Sequence, residues 1–199
     1  MGFGALFLGF MFLYDFQIGL RASESEGAYA LLDIFPDAIG WILLFFGLRR
    51  LCKKSDSFSF LKKSTLFFLV LSVFSLVKET LLFSVFYSKN GIQVFAGECF
   101  DVCEHLLTLA FIWLLFQKTA PLCRKYGEDR LSQSHLLVPR IALVEAVLFV
   151  LVMIARFLPL PQSANSYINV ISRLDFLFWV FLIWYGTVTL FRSLRRVSD

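Results

Sequence analysis

The amino-acid sequence predicts an all-α integral membrane bundle of six transmembrane helices in three hairpins, with both termini cytoplasmic. Three observations carry that prediction: a composition that water would not tolerate, six apolar stretches of membrane-spanning length, and basic residues gathered in alternate connections. The chain has 199 residues, 58% hydrophobic and 17% charged, with 25 Phe and a mean hydropathy of +0.74. An ordinary soluble domain is about 45–50% apolar and about 25% charged. A chain this short exposes too much surface to hide the excess from water. The same figures exclude disorder, a disulfide-stapled secreted module and a nucleic-acid binder. The solvent of this chain is lipid.

A bilayer core needs about 20 mostly apolar residues per helix. The first candidate, Gly2–Leu20, has no basic residue before its apolar run and is interrupted by Asp15, unlike a signal peptide. Leu6 stands where a myristoylation site has Ser or Thr. A retained helix is expected. The others are Ala28–Leu48, Ser64–Tyr87, Ala96–Phe116, Ile141–Leu158 and Ile168–Phe191, the fourth being weakest because only residues 106–116 are free of charge. None alternates apolar with polar as a barrel strand does, so all six are expected as helices of one transmembrane domain over 1–199.

Lys and Arg orient the spans. Segment 49–63 carries six, segment 117–140 five and the tail three, whereas the other connections carry Arg21, Lys89 and none. This strict alternation places both termini and the richer loops in the cytoplasm. The loop 49–63 would lie on the anionic inner leaflet, with Phe58, Phe60 and Leu61 forming an interfacial turn.

Orientation makes the ionisable residues within spans interpretable. Asp15, Asp33, Asp37, Lys78, Glu79, Glu98, Asp101, Glu104, His105, Arg156, Arg173 and Asp175 all fall in the extracytoplasmic half; only Glu145 falls in an inner half. A charge at mid-membrane costs about 2.5–3.5 kcal/mol on insertion scales, so such residues face a bundle interior or a watery cavity. At 100° per residue, Glu98, Asp101 and His105 fall within an arc of about 60°, with Glu104 about 60° further round. Thr65, Ser72, Ser75 and Glu79 share one stripe of the third span, and Glu145 and Arg156 share one face of the fifth. Polar stripes at one depth point to an acidic cavity opening outward. It would bind or transport a cation, a proton or a cationic small molecule through Asp37, Glu79, Glu98, Asp101, Glu104 and His105. Lys78, Arg156, Arg173 and Asp175 would act as charge partners.

Blander readings stand beside this one. Asp33 and Asp37 flank Pro36, where an acid caps a helix start. Glu98 and Asp101 at headgroup depth would merely be solvated. Lys78 with Glu79, or Arg173 with Asp175, would pair across helices to hold the bundle. The whole chain would then be a non-catalytic accessory or assembly subunit whose polar stripes bind a membrane-protein partner. Glu98, Asp101 and His105 at i, i+3, i+7 would suit a divalent cation. However, the only other His, His135, falls in a cytoplasmic loop on this reading, and H-E-x-x-H, G-x-S-x-G, P-loop and dinucleotide motifs are all missing. No cofactor is expected. Cys99 and Cys103, at i, i+4 without a redox spacing, read as buried adaptable side chains.

One segment carries a resemblance. Asp33-Ile34-Phe35-Pro36-Asp37-Ala38-Ile39-Gly40-Trp41, followed by Gly47-Leu48-Arg49-Arg50-Leu51, resembles the D-x-x-P-D-x-I-G-[YW] and G-L-x-x-L pattern of small, uncharacterised multi-pass membrane proteins of Gram-positive bacteria. The resemblance covers about twenty residues and carries no activity. It implies a bacterial cytoplasmic membrane, and a joint role for Asp33, Pro36, Asp37 and Gly40.

Overall fold

The structure is a computed structural model that describes residues 2–13, 17–21, 29–33, 37–85, 91–157 and 165–197, with side chains described for 2–13, 37–75, 99–100, 102–155 and 167–196. In chain order its elements are α1 (Phe3–Phe12), β1 (Gln17–Arg21), β2 (Tyr29–Asp33), α2 (Asp37–Cys52), a 3-10 turn (Asp56–Phe58), α3 (Ser59–Val85), α4 (Gly91–Lys125), α5 (Asp129–Phe157) and α6 (Asn165–Val197). Four helical stretches are long and apolar enough to cross a bilayer: Asp56–Ser75, Val102–Lys125, Asp129–Ala155 and Tyr167–Arg196. They correspond to the last four expected spans and mark an integral membrane protein.

The first two spans are corrected. Their helical parts shrink to ten and sixteen residues, about 15 and 24 Å long against a hydrocarbon core of about 30 Å. Between them β1 and β2 pair antiparallel, Gln17 opposite Asp33 and Arg21 opposite Tyr29. The physical reason is local. Residues 15–33 include Asp15, Gln17, Arg21, Glu24, Glu26 and Asp33, too polar a run for lipid. Pro36 biases the residue before it away from helical geometry, and α2 begins immediately after it.

The chain falls into two compact units, 1–96 and 97–199. In the first, α1 packs on α2 backbone to backbone. A Cβ on Gly9 would stand 2.8 Å from the Gly40 carbonyl oxygen and the Leu44 amide nitrogen, and one on Gly40 3.0 Å from the Gly9 carbonyl oxygen. Gly2 and Gly47 repeat the arrangement, a Gly2 Cβ falling 2.8 Å from the Gly47 carbonyl oxygen and a Gly47 Cβ 2.9 Å from the Leu6 nitrogen. Small residues are how helices approach closely where lipid supplies no hydrophobic drive. Leu6, Phe10, Leu44, Leu48 and Leu51 are buried around the glycines. Trp41 reaches α3 and stacks on Phe68, rings 4.3 Å apart and 11° from parallel. The expected interfacial turn is only partly so, since Phe58 and Leu61 are buried while Phe60 is exposed. Of the expected polar stripe of α3, Thr65 and Ser72 are buried and Ser75 half-buried, while the side chain of Glu79 lies outside the described residues.

In the second unit, the expected loop 117–140 is almost entirely helix: α4 runs to Lys125 and α5 starts at Asp129. The reversal takes three residues. The Glu128 amide donates to the Cys123 carbonyl and the Gly127 amide to the Arg124 carbonyl, with Gly127 at φ 79°. That pattern is a Schellman cap, whose left-handed position suits glycine. Basic and polar residues make 117–140 hydrophilic in sequence, but its buried face (Thr119, Ala120, Cys123, Leu131, His135, Val138) keeps helical spacing. Pro121 and Pro139 lie inside these helices, each removing one ladder hydrogen bond.

Candidate functional site

α5 is the most apolar of the four candidate spans, and Glu145 lies near its middle with its side chain fully buried. The antiparallel turn at 126–128 brings α4 back alongside, so that His105, twenty residues before the end of α4, arrives at the same level. His105 Nε2 and Glu145 Oε1 are 2.7 Å apart, although the sequence reading put the two residues in opposite halves of the bilayer. The error came from treating 117–140 as a loop, which moved Glu145 too close to the end of its helix.

The imidazole is held on its faces as well as at its edge. The Phe149 ring from α5 lies 4.2 Å away, tilted 36°, and the Trp179 ring from α6 4.9 Å away, tilted 53°. The second carboxylate oxygen, Glu145 Oε2, is buried and has no hydrogen-bond partner among the described residues. A buried carboxylate needs its charge matched or removed. With one hydrogen-bonded imidazole beside it, a single proton does this in either of two ways. The pair becomes imidazolium with carboxylate, or neutral imidazole with carboxylic acid, and only a shift along a 2.7 Å bond separates them.

Of the residues singled out in the sequence, Glu104 is partly buried beside His105 on α4, and Asp175 is partly buried one turn before Trp179 on α6; Arg173 is exposed. Asp37 opens α2 as its first-turn acid, where a carboxylate complements the helix dipole. The side chains of Lys78, Glu79, Glu98, Asp101 and Arg156 lie outside the described residues. Asp37, Lys78 and Glu79 belong to the first unit and the rest to the second. Among the described residues no three His, Cys, Asp or Glu side chains converge as metal ligands. Cys99 and Cys103 are exposed, not buried as expected, and it is Cys123 that is buried.

A second polar centre was missed in the sequence. His135 is not in a loop but fully buried in α5, its Nδ1 2.7 Å from Thr119 Oγ1 of α4 and its Nε2 2.7 Å from Ser193 Oγ of α6. Each hydroxyl also lies against its own helix, Thr119 Oγ1 3.0 Å from the Leu115 carbonyl and Ser193 Oγ 2.9 Å from the Thr189 carbonyl. A neutral imidazole is satisfied at both nitrogens if one hydroxyl donates to it and the other accepts its N–H; only the accepting hydroxyl then keeps its proton for its own helix carbonyl. This network joins three helices and reads as a structural pin. The signal that would have found it is the helical spacing of buried residues on either side of the turn.

No family model matches this chain, and neither a curated protein nor a solved structure matches it.

Proposed function

We propose that the chain is a multi-pass protein of a bacterial cytoplasmic membrane that binds, and passes on, a proton or small cation at the His105–Glu145 pair. The observation that carries this reading is the mid-helix carboxylate, fully buried, with one oxygen on an imidazole and the other without a partner among the described residues. Ionisable groups in the interior of membrane helices are costly, and where they persist they mark ion pathways and proton relays. Without a proton on one of its two groups the pair carries one negative charge in lipid; an arriving proton or monovalent cation cancels it. In sequence, Asp101 and Glu98 fall one and two helical turns before His105.

The test is proton or cation uptake by the purified chain in sealed vesicles, followed with a pH-sensitive dye under an imposed sodium, potassium or pH gradient. Glu145→Gln and His105→Asn, each shown folded by circular dichroism, are expected to abolish the signal. Undiminished uptake in Glu145→Gln overturns the reading. A wild-type chain that moves nothing, tolerates Glu145→Gln and co-purifies with a fixed membrane partner supports the accessory-subunit reading instead.

A further inference from the structure

A groove of about 480 Å³ runs along the first three turns of α5, closed on one side by Tyr185 of α6. Its polar lining comes from Arg130, Gln133 and Arg140, its apolar lining from Leu136 and Leu137. From this arrangement the geometry points to a binding site for an anionic phospholipid, phosphate on the two guanidinium groups and acyl chain against the leucines and Tyr185.

Charge comes first. Segments 117–140 and 192–196 hold eight Lys and Arg against two acids, Glu128 and Asp129. Both acids are already engaged, Glu128 by Arg196 at 3.0 Å and Asp129 by Arg124 at 3.6 Å. Arg130 and Arg140 have no ion-pair partner among the described residues. The Ser134 hydroxyl, also in the lining, turns back to the Arg130 carbonyl at 3.2 Å and leaves the guanidinium groups as the strong donors. Arginine forks match phosphate oxygens bidentately.

Depth comes second. The apolar stretch Asp129–Ala155 has 27 residues, about 40 Å of helix against a hydrocarbon core of about 30 Å. Asp129 and Arg130 are charged while residues 150–155 are apolar, so the surplus lies at the start of α5. That places Arg130 among headgroups and Arg140, about 15 Å further along the helix, in the uppermost turn of the hydrocarbon, from which its long side chain snorkels back toward the phosphate layer. Leu136 and Leu137, 40% and 39% exposed, lie between them at the depth where an acyl chain begins. Basic pockets between membrane helices on the cytoplasmic side are where anionic headgroups bind.

The test is a fluorescence-anisotropy titration of the full chain in a neutral detergent, using tail-labelled phosphatidylglycerol and phosphatidylcholine. Phosphatidylglycerol is expected to bind more tightly, with Arg130→Gln and Arg140→Gln each weakening it about fivefold and the double variant about thirtyfold. Both arginines are exposed, so the variants keep the fold, and Arg130→Lys/Arg140→Lys, which keeps the charge but not the fork, is expected to bind between wild type and the double Gln variant. Equal binding of the two lipids overturns the proposal. So does an equal loss in Lys53→Gln/Lys54→Gln, which removes the same charge elsewhere. Displacement by excess inorganic phosphate, together with indifference to Leu136→Ser/Leu137→Ser, would make it a free-phosphate site and also overturn it.

Discussion

Adding one methyl group at Gly9 tests the packing of the first unit. In Gly9→Ala the new Cβ stands 2.8 Å from the Gly40 carbonyl oxygen and the Leu44 amide nitrogen, where ordinary contact begins at 3.4 Å. Both obstacles are backbone, so no rotamer change relieves them, and α1 must move off α2 by on the order of 0.5 Å. A gap of that size forfeits about a quarter of each dispersion contact along the interface, and overpacking of this kind costs about 1–3 kcal/mol. Gly40→Ala meets the Gly9 carbonyl oxygen at 3.0 Å and costs a similar amount. The double variant is the sharper measurement. Once the helices have parted for one methyl, the second enters space already opened, so the double loss is expected to fall about 1 kcal/mol short of the sum. Unfolding titrations in mixed micelles, followed by circular dichroism, give all three values. Single losses below about 0.5 kcal/mol, or simple addition in the double variant, would refute backbone-to-backbone contact at this pair.

Three further outcomes are expected. His105→Phe keeps a ring between Phe149 and Trp179 but leaves Glu145 buried without its partner, so the same unfolding titration should show a loss of about 3–5 kcal/mol, which His105→Phe/Glu145→Leu recovers for the most part. Ser193→Ala strips His135 Nε2 of its partner and should cost about 1–2 kcal/mol, whereas Ser134→Ala, whose exposed hydroxyl only turns back on its own helix, should leave the midpoint unchanged. In detergent, a small maleimide should modify Cys99 and Cys103 promptly and Cys123 only after denaturation, as mass spectrometry of the labelled chain will show; equal rates at all three would contradict the packing of α4.

The four long helices were legible because their apolar runs exceed anything a soluble core needs, and the basic residues of 117–140 and 192–196 fall at one end of each of α4, α5 and α6. What misled was reading hydrophilicity as loop. Arg124, Lys125, Arg130 and Arg140 are polar on average and helical in phase, and only the buried positions between them carry that phase. His135 followed the loop out of sight, and Glu145 was placed in the inner half, away from the His105 it meets. The acid in the most apolar span was itself the clue, because a lone carboxylate persists there only with a partner. Gly40 and Gly47 stood out in sequence as part of a pattern, yet their partners Gly2 and Gly9 lie in another helix, and a single sequence does not show which glycines face each other. The first two spans were drawn too long for the opposite reason: hydropathy averaged over twenty residues outweighed Asp15, Gln17 and Asp33.

The turn at Gly127 has a consequence for how this chain tolerates change. His105 with Glu145, and Thr119 with His135, are centred within two residues of each other in sequence, one pair nested inside the other around the same reversal. One inserted residue there would slide α5 by about 1.5 Å and rotate it by about 100° against α4, unseating both pairs at once. Connections between helices ordinarily absorb insertions freely. This one works as the zero mark of a ruler, and a D-amino acid, which adopts its positive φ without adding length, is the substitution it should accept.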